Sequence, residues 1–420
     1  MSSATLDPAT IPAAPPWSAA VPTRRARLRR LLALLGPAFV VSVAYVDPGN
    51  FATNLAAGAG HGARLLWVVV AANGMAMLVQ YLAGKLGLAT GSSLPELCRQ
   101  RYPRPVTWGL WLQAELVAMA TDLAEFVGAA VALNLLFGVP LLPAGIITAG
   151  VTFALLSLRP QGRHRFEAVI IGMLGIILAG FLYQACAAGS PDHLAAGLLP
   201  GLDGGDGLLL ATGIVGATVM PHAVYLHSDL SRRSAVRTDP RTAVRMHRVD
   251  VVVALGVAGA VNVAMLLVAA SALHGGEPVR TLAEAHAGLA VHLGTGAALA
   301  FALALLASGL AASSVGTYSG DVIMQGFLRR SVPLATRRLV TMAPALLVLG
   351  LGIDPTRALV LSQVFLAVGI PFALVPLVLL TRRPDLMGLL VNRPLTTAAG
   401  AAVSALIITL NVGLLAGLLP

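Results

Sequence analysis

The sequence predicts an all-α polytopic membrane protein, built as two inverted five-span repeats with an eleventh span appended. Three observations carry that prediction. Of the 420 residues 57% are hydrophobic and 11% charged, and apolar runs of about 20 residues, the length a helix needs to cross hydrocarbon, recur through nearly the whole chain. The arginines between those runs fall almost entirely on one side. Two of the runs, in corresponding places of two halves, are broken by proline beside polar residues.

Taken in order, eleven spans fit the hydropathy: residues 31–58, 65–90, 107–137, 140–158, 167–187, 207–230, 249–272, 295–322, 336–353, 356–380 and 395–418. Several exceed 20 residues, so tilt, a break or a helical extension beyond the lipid is expected. Residues 1–30 read as a disordered cytoplasmic segment, rich in Ala, Pro, Ser and Thr up to residue 23 and closing on Arg24, Arg25, Arg27, Arg29 and Arg30. A basic cluster before an apolar stretch resembles a signal peptide. This stretch runs past any small-residue cleavage point into Asp47-Pro48, so it reads as a retained first helix.

The even-numbered loops hold most of the other arginines, from Arg99 and Arg101 after span two to Arg382, Arg383 and Arg393 after span ten. Only Arg64, Arg280 and Arg357 fall on the opposite side. That asymmetry sets the amino terminus in the cytoplasm and, with an odd number of spans, the carboxyl terminus outside the cell (inner) membrane. It also accounts for the net charge of +10 as topological. Lys85 is the only lysine, and there is no basic–aromatic stripe, zinc-finger spacing or P-loop, which excludes nucleic acid as a partner. Cys98 and Cys186 imply neither a disulfide framework nor a CxxC metal site. No nucleophile–base arrangement stands beside either break, which argues against an enzyme.

Residues 31–418 read as one transmembrane domain. Spans 1–5 (about 31–187) and 6–10 (about 207–380) each open on a Pro-interrupted helix, and an odd number of spans per half inverts one half relative to the other. This architecture carries a substrate site at the midplane between the two broken helices.

The first break is Ala44-Tyr45-Val46-Asp47-Pro48-Gly49-Asn50. An ionised aspartate at mid-membrane costs about 3 kcal/mol even on the gentlest insertion scale. Proline removes an amide donor and glycine loosens the backbone. The second break, about 170 residues later, is Ala217-Thr218-Val219-Met220-Pro221-His222. Unwound backbone is tolerated at that depth only inside protein or beside water, where it serves an ion. Asp47 offers a charged oxygen, Asn50 an amide oxygen, Ala44 and Ala217 backbone carbonyls, and Met220 a thioether. Oxygens alone suit magnesium or calcium; a thioether favours first-row transition metals. One carboxylate among neutral donors leaves a divalent ion with net charge, which fits passage better than capture. The expected substrate is a divalent transition metal such as manganese or iron.

His222 exchanges protons near neutral pH and reads as a proton carrier in preference to a metal ligand; His227 reads more weakly. In span three, Glu115, Asp122 and Glu125 are spaced by seven and three, which puts them on one helix face. Three carboxylates on one membrane stripe cannot face lipid. Asp122 and Glu125 are close enough to share a proton, and Arg337 and Arg338 at the start of span nine are candidate partners. The stripe suggests a proton conduit from the metal site toward the cytoplasm, with Glu115 alternatively marking the inner end of the span. The small residues of Ala307–Gly316 in span eight read as close helix packing. Gln363 in span ten either joins the metal shell on closure or hydrogen-bonds between helices.

Asp47-Pro48-Gly49-Asn50 and Met220-Pro221-His222 resemble the paired signatures of the Nramp transporters, whose bacterial members are proton-coupled divalent metal (manganese) transporters. Thr121-Asp122-Leu123-Ala124-Glu125, Leu361-Ser362-Gln363 and Gly369-Ile370-Pro371-Phe372 are further matches, and the likeness covers about residues 31–418. The resemblance implies a LeuT-like fold and import of Mn²⁺ or Fe²⁺ coupled to protons, with no resident cofactor and no obligate protein partner. It carries metal ligation to Asp47, Asn50, Met220 and the Ala217 carbonyl, with the Ala44 carbonyl and Gln363 joining in some states. It carries the proton path to His222, Glu115, Asp122, Glu125, Arg337 and Arg338. One departure is Ser234, flanked by Arg232 and Arg233, where some bacterial relatives have an arginine. Two rivals remain. A sodium-coupled amino-acid transporter of the same fold would hold a carboxylate that Asp47 repels. A cation channel would ring its pore with identical residues, not draw different ones from two halves of a chain.

Overall fold

The computed structural model describes residues 36–157, 163–189, 191, 194–202, 204–232, 240–276, 279–330 and 332–418. The expected disordered segment 1–30 lies outside the described residues, as does Ser234. Every regular element among the described residues is a helix. The first span is α1 (Pro37–Ser42), prolonged by a 3₁₀ turn Val43–Val46, then α2 (Pro48–His61). Next come α3 (Leu66–Thr90), the short α4 (Leu94–Arg101), α5 (Arg104–Phe137), α6 (Leu141–Ser157) and α7 (Arg163–Ala188). The sixth span is likewise two pieces, α8 (Gly204–Thr218) and α9 (Pro221–Arg232). The chain continues through α10 (Pro240–Ala272), α11 (Leu282–Leu293), α12 (Thr295–Leu328), α13 (Leu334–Gly350), α14 (Pro355–Thr381), α15 (Pro384–Met387) and α16 (Pro394–Leu418).

Among the described residues, eight stretches are long and apolar enough to cross a membrane by length and composition, one of them, Pro48–Thr90, holding the second half of span one and all of span two. Pro37–Val46 and Leu141–Leu155 are shorter apolar helices. With α13 these account for the eleven spans of the sequence reading. Three helices fall outside the eleven spans, α4, α11 and the four-residue α15, and the first two each open on a capping box. Ser93 N donates to Glu96 Oε2 at 2.9 Å, and Glu284 N donates to Thr281 Oγ1 at 3.1 Å.

The packing has the symmetry an inverted repeat requires. α3, the second span, lies on α9, the second half of span six; α10, the seventh, lies on α2, the second half of span one. α5 packs on α14 as α12 packs on α7, while α5 packs on α12 and α3 on α10. Exchanging each span with the one five places on leaves this pattern unchanged. The broken helices are thereby enclosed, α2 against α8, with Phe51 of α2 wedged between Phe181 and Phe301 at ring-centroid distances of 5.1 and 5.9 Å. α16 lies outside that exchange, on α14.

Candidate functional site

Each break follows from where its proline stands. A helical amide bonds the carbonyl four residues back, and proline has none. Pro48 therefore offers nothing to Ala44, and Pro221 nothing to Ala217. At the first break Asp47 leaves the helical region with an extended backbone (φ −71°, ψ 168°), and Pro48 opens α2, where a missing amide costs nothing. Asp47 then caps the new helix, its Oδ1 accepting from Asn50 N at 2.8 Å and Asn50 Nδ2 at 2.7 Å. Carbonyls on the other side of the break find donors on distant spans. Asn262 Nδ2 donates to Tyr45 O at 2.8 Å and Ser308 Oγ to Val46 O at 2.6 Å.

At the second break Val219 and Met220 lie between α8 and α9, outside regular helix. The Ala217 carbonyl that Pro221 leaves free accepts from Asn50 Nδ2 at 2.9 Å. Asn50 thus touches both the carboxylate of one break and the bare carbonyl of the other. Thr218 Oγ1 stands 3.5 Å from Asn50 Oδ1. From α14, Gln363 Nε2 reaches Asp47 Oδ2 at 3.4 Å, and a side chain at Gly49 would overlap this amide. Gln363 Oε1 has no hydrogen-bond partner. Asp47, Asn50, Ala44, Ala217, Met220 and Gln363 are all at most 1% exposed, so the junction of the two breaks is shielded from solvent. Ala44 sits in the 3₁₀ turn that precedes Asp47. Among the described residues no three His, Cys, Asp or Glu side chains cluster as a metal trap. The donor set has one carboxylate.

His222 opens the link to α5. Its Nδ1 is 3.3 Å from Thr121 Oγ1, whose hydroxyl donates to Val117 O at 3.0 Å. A hydroxyl with its proton committed accepts from the ring, which assigns the proton to Nδ1 and leaves Nε2 a bare acceptor. Nε2 has no hydrogen-bond partner. Ser319 Oγ fixes the backbone there, donating to His222 O at 2.6 Å.

The acidic face expected as one stripe divides into three settings. Glu115, at the more open end, takes Arg337 Nη2 on both oxygens at 3.1 and 3.3 Å. Asp122 lies 3.9 Å from Nη1 of Arg338, which is 1% exposed. That guanidinium donates to Ser313 O at 3.1 Å and to the hydroxyls of Ser313 and Thr317, and its Cζ is 4.8 Å from the Phe126 ring centroid. Glu125 is fully buried, with neither oxygen hydrogen-bonded. His227 stands apart from this path, its Nδ1 2.7 Å from Gln80 Oε1. Arg232, beside the departure at Ser234, is committed to Glu96 at 2.8 Å and Asp229 at 2.7 Å.

One expectation needs correction. The small-residue run of span eight is not packing alone, because Ser308 supports the first break and Ser313 holds Arg338. The sequence reading also assigned no role to Asn262, Thr121 and Thr317. Asn262, a lone mid-span amide, was the visible signal among them.

The family model described as Natural resistance-associated macrophage protein-like (Nramp) matches residues 38–417. This chain belongs to the Nramp family. Among Nramp relatives, the divalent metal cation transporter MntH of Deinococcus radiodurans is 51% identical over 392 residues, covering 91% of this chain and 89% of its own. The crystal structure of a manganese transporter from Eremococcus coleocola matches at TM-score 0.80 and 34% identity, covering 93% of this chain and 87% of that one. Mhp1, a nucleobase-cation-symport-1 family transporter, matches at TM-score 0.59 and 17% identity over 90% of this chain and 92% of its own, a likeness of fold alone. The Nramp chain thus has the LeuT-like arrangement, two inverted five-span repeats and an eleventh span.

Proposed function

We propose that this chain imports divalent transition-metal ions, Mn²⁺ and Fe²⁺ among them, across the cell (inner) membrane together with protons, by alternating access. The observation that carries the reading is Asn50, whose amide spans from the Asp47 carboxylate to the Ala217 carbonyl and so brings the two breaks to one point. In this reading a metal replaces that amide's hydrogens. Asn50 turns its oxygen inward, and Asp47, Asn50, the Ala44 and Ala217 carbonyls and Met220 become the donors. Gln363, already against Asp47, joins or leaves as α14 closes or opens the chamber. One carboxylate lets a divalent ion go, and the sulfur disfavours calcium and magnesium.

For the proton, His222 Nε2 is the acceptor nearest the metal donors in the chain, two residues past Met220. Thr121 joins it to α5, where Asp122 and Glu125 face Arg338; Glu115 with Arg337 forms the cytoplasmic exit. Residues 31–418 act as one transporter domain, with repeats about 31–187 and 207–380 and the extra helix 395–418. The amino terminus is cytoplasmic and the carboxyl terminus outside, as the arginine asymmetry demands. No catalytic chemistry on the ion and no partner protein enters this account.

The test is manganese uptake into proteoliposomes with the lumen held near neutral and the outer pH lowered stepwise. Uptake should rise as the outside is acidified, with protons entering alongside metal. Uptake indifferent to outer pH refutes the coupling.

A further inference from the structure

Lys85, the single lysine of the chain, takes no part in either break. It stands near the end of α3, at the cytoplasmic end of the second span by the arginine asymmetry. Only 6% exposed, it donates from Nζ to Asn392 Oδ1 at 2.8 Å, a neutral acceptor. No ion pair among the described residues includes it. A buried ammonium without a counter-charge is costly.

Its neighbours deepen the imbalance. Nζ lies 5.6 Å from the centroid of the Tyr81 ring, and Arg248 Cζ lies 5.5 Å from the same ring. Arg248 and Arg393 both act on Lys85 as like charges. Both arginines are exposed, and neither enters an ion pair among the described residues. Asp250, two residues past Arg248, is engaged elsewhere, accepting from Gly36 N and Ala38 N at 3.0 Å each. Lys85 and Arg248 therefore share one ring, Arg393 adds a third like charge acting on Lys85, and no ion pair among the described residues neutralises any of the three.

The arrangement is built, not incidental. Asn392 is pinned to the end of α14, its N donating to Thr381 O at 3.2 Å and its Nδ2 to Thr381 Oγ1 at 2.9 Å. Beside this loop stand Leu389 and Leu395, 85% and 82% exposed. Cations at the depth of the inner membrane surface, flanked by bare leucines, match a ligand with an anionic head and apolar tails.

We propose that Lys85 and Arg248, both against the Tyr81 ring, together with Arg393 next to Asn392, bind the phosphate of an anionic lipid headgroup in the cytoplasmic leaflet, with the acyl chains lying along Leu389 and Leu395. The lipid supplies the missing counter-charge and ties α3, α10 and the loop before α16 together.

The test uses the full chain purified in neutral detergent. Retention of phosphatidylglycerol and of phosphatidylcholine with the same acyl chains is compared by native mass spectrometry. The wild type should hold one phosphatidylglycerol in preference. Lys85→Gln and Arg393→Gln should each weaken that preference by about fivefold, and the pair by about twenty-fivefold, with phosphatidylcholine unaffected. Arg393 is exposed, so its variant keeps the test valid if Lys85→Gln does not fold. Arg104→Gln, at an exposed arginine elsewhere on the cytoplasmic side, should change nothing. Equal retention of the two lipids by the wild type, or an undiminished preference in Arg393→Gln, overturns the proposal. Inorganic phosphate that displaces the bound phosphatidylglycerol and stabilises the lipid-free protein equally would reassign the site to a soluble phosphate and overturn the lipid.

Discussion

Replacing Met220 by leucine and by alanine separates packing from metal ligation. The side chain is fully buried in the link between α8 and α9. Truncation to alanine leaves a cavity and should cost about 2–5 kcal/mol of stability. Leucine nearly conserves the volume and should cost under about 1.5 kcal/mol, yet it removes the sulfur just as completely. If the thioether is a ligand, the two variants share a transport defect despite unequal stabilities. The donors left behind, from Asp47, Asn50 and the two alanine carbonyls, are all oxygens and serve calcium as readily as manganese. Losing one weak, selective donor should lower the preference for manganese over calcium by about tenfold, or about 1.4 kcal/mol. Manganese uptake into proteoliposomes against competing calcium gives the selectivity, and thermal unfolding in detergent gives the stability. Wild-type selectivity in Met220→Leu would refute the reasoning and make the sulfur a filler.

Other substitutions address the rest of the site. Asp47→Ala should abolish metal uptake while the protein still inserts, as surface labelling of the purified transporter would report. Asn50→Ala removes the hydrogen bonds to Asp47 and Ala217 O, about 1–3 kcal/mol for the two, and should weaken manganese binding measured by calorimetry. Arg338→Ala leaves Asp122 buried without its cation and should destabilise by about 3–5 kcal/mol in thermal unfolding. Arg337→Ala should cost less, because its partner Glu115 keeps 17% of its side chain exposed. His222→Ala should flatten the dependence of uptake on outer pH while leaving manganese binding measurable by calorimetry.

The spans and both breaks were legible in the sequence, since both rest on local properties: apolar length and proline beside a polar residue. The arithmetic of the missing proline amides even singles out Ala44 and Ala217. The partners of the freed carbonyls were not legible. Asn262 and Ser308 lie more than two hundred residues from the carbonyls they serve, and although Asn262 stands out as a lone mid-span amide, nothing local names the partner of either. The serines of span eight misled for the same reason, because small residues that permit close packing also carry hydroxyls, and only the fold shows where those point. The acids of span three were correctly placed on one face. Their separation into a pair with Arg337, a pair with Arg338 and the unpaired Glu125 depends on how α13 lies against α5. The capping-box spacings Ser93 to Glu96 and Thr281 to Glu284 stand in the sequence but were not read as helix starts, so α4 and α11 went unplaced.

The central claim is that a single ion touches both broken helices, through the Asp47 carboxylate and the Met220 sulfur. X-ray absorption fine structure at the manganese edge of the loaded transporter tests it directly. A sulfur scatterer should accompany the oxygens in the wild type and vanish in Met220→Leu, while the oxygen shell persists. An oxygen-only shell in the wild type, unchanged by the substitution, would contradict the account.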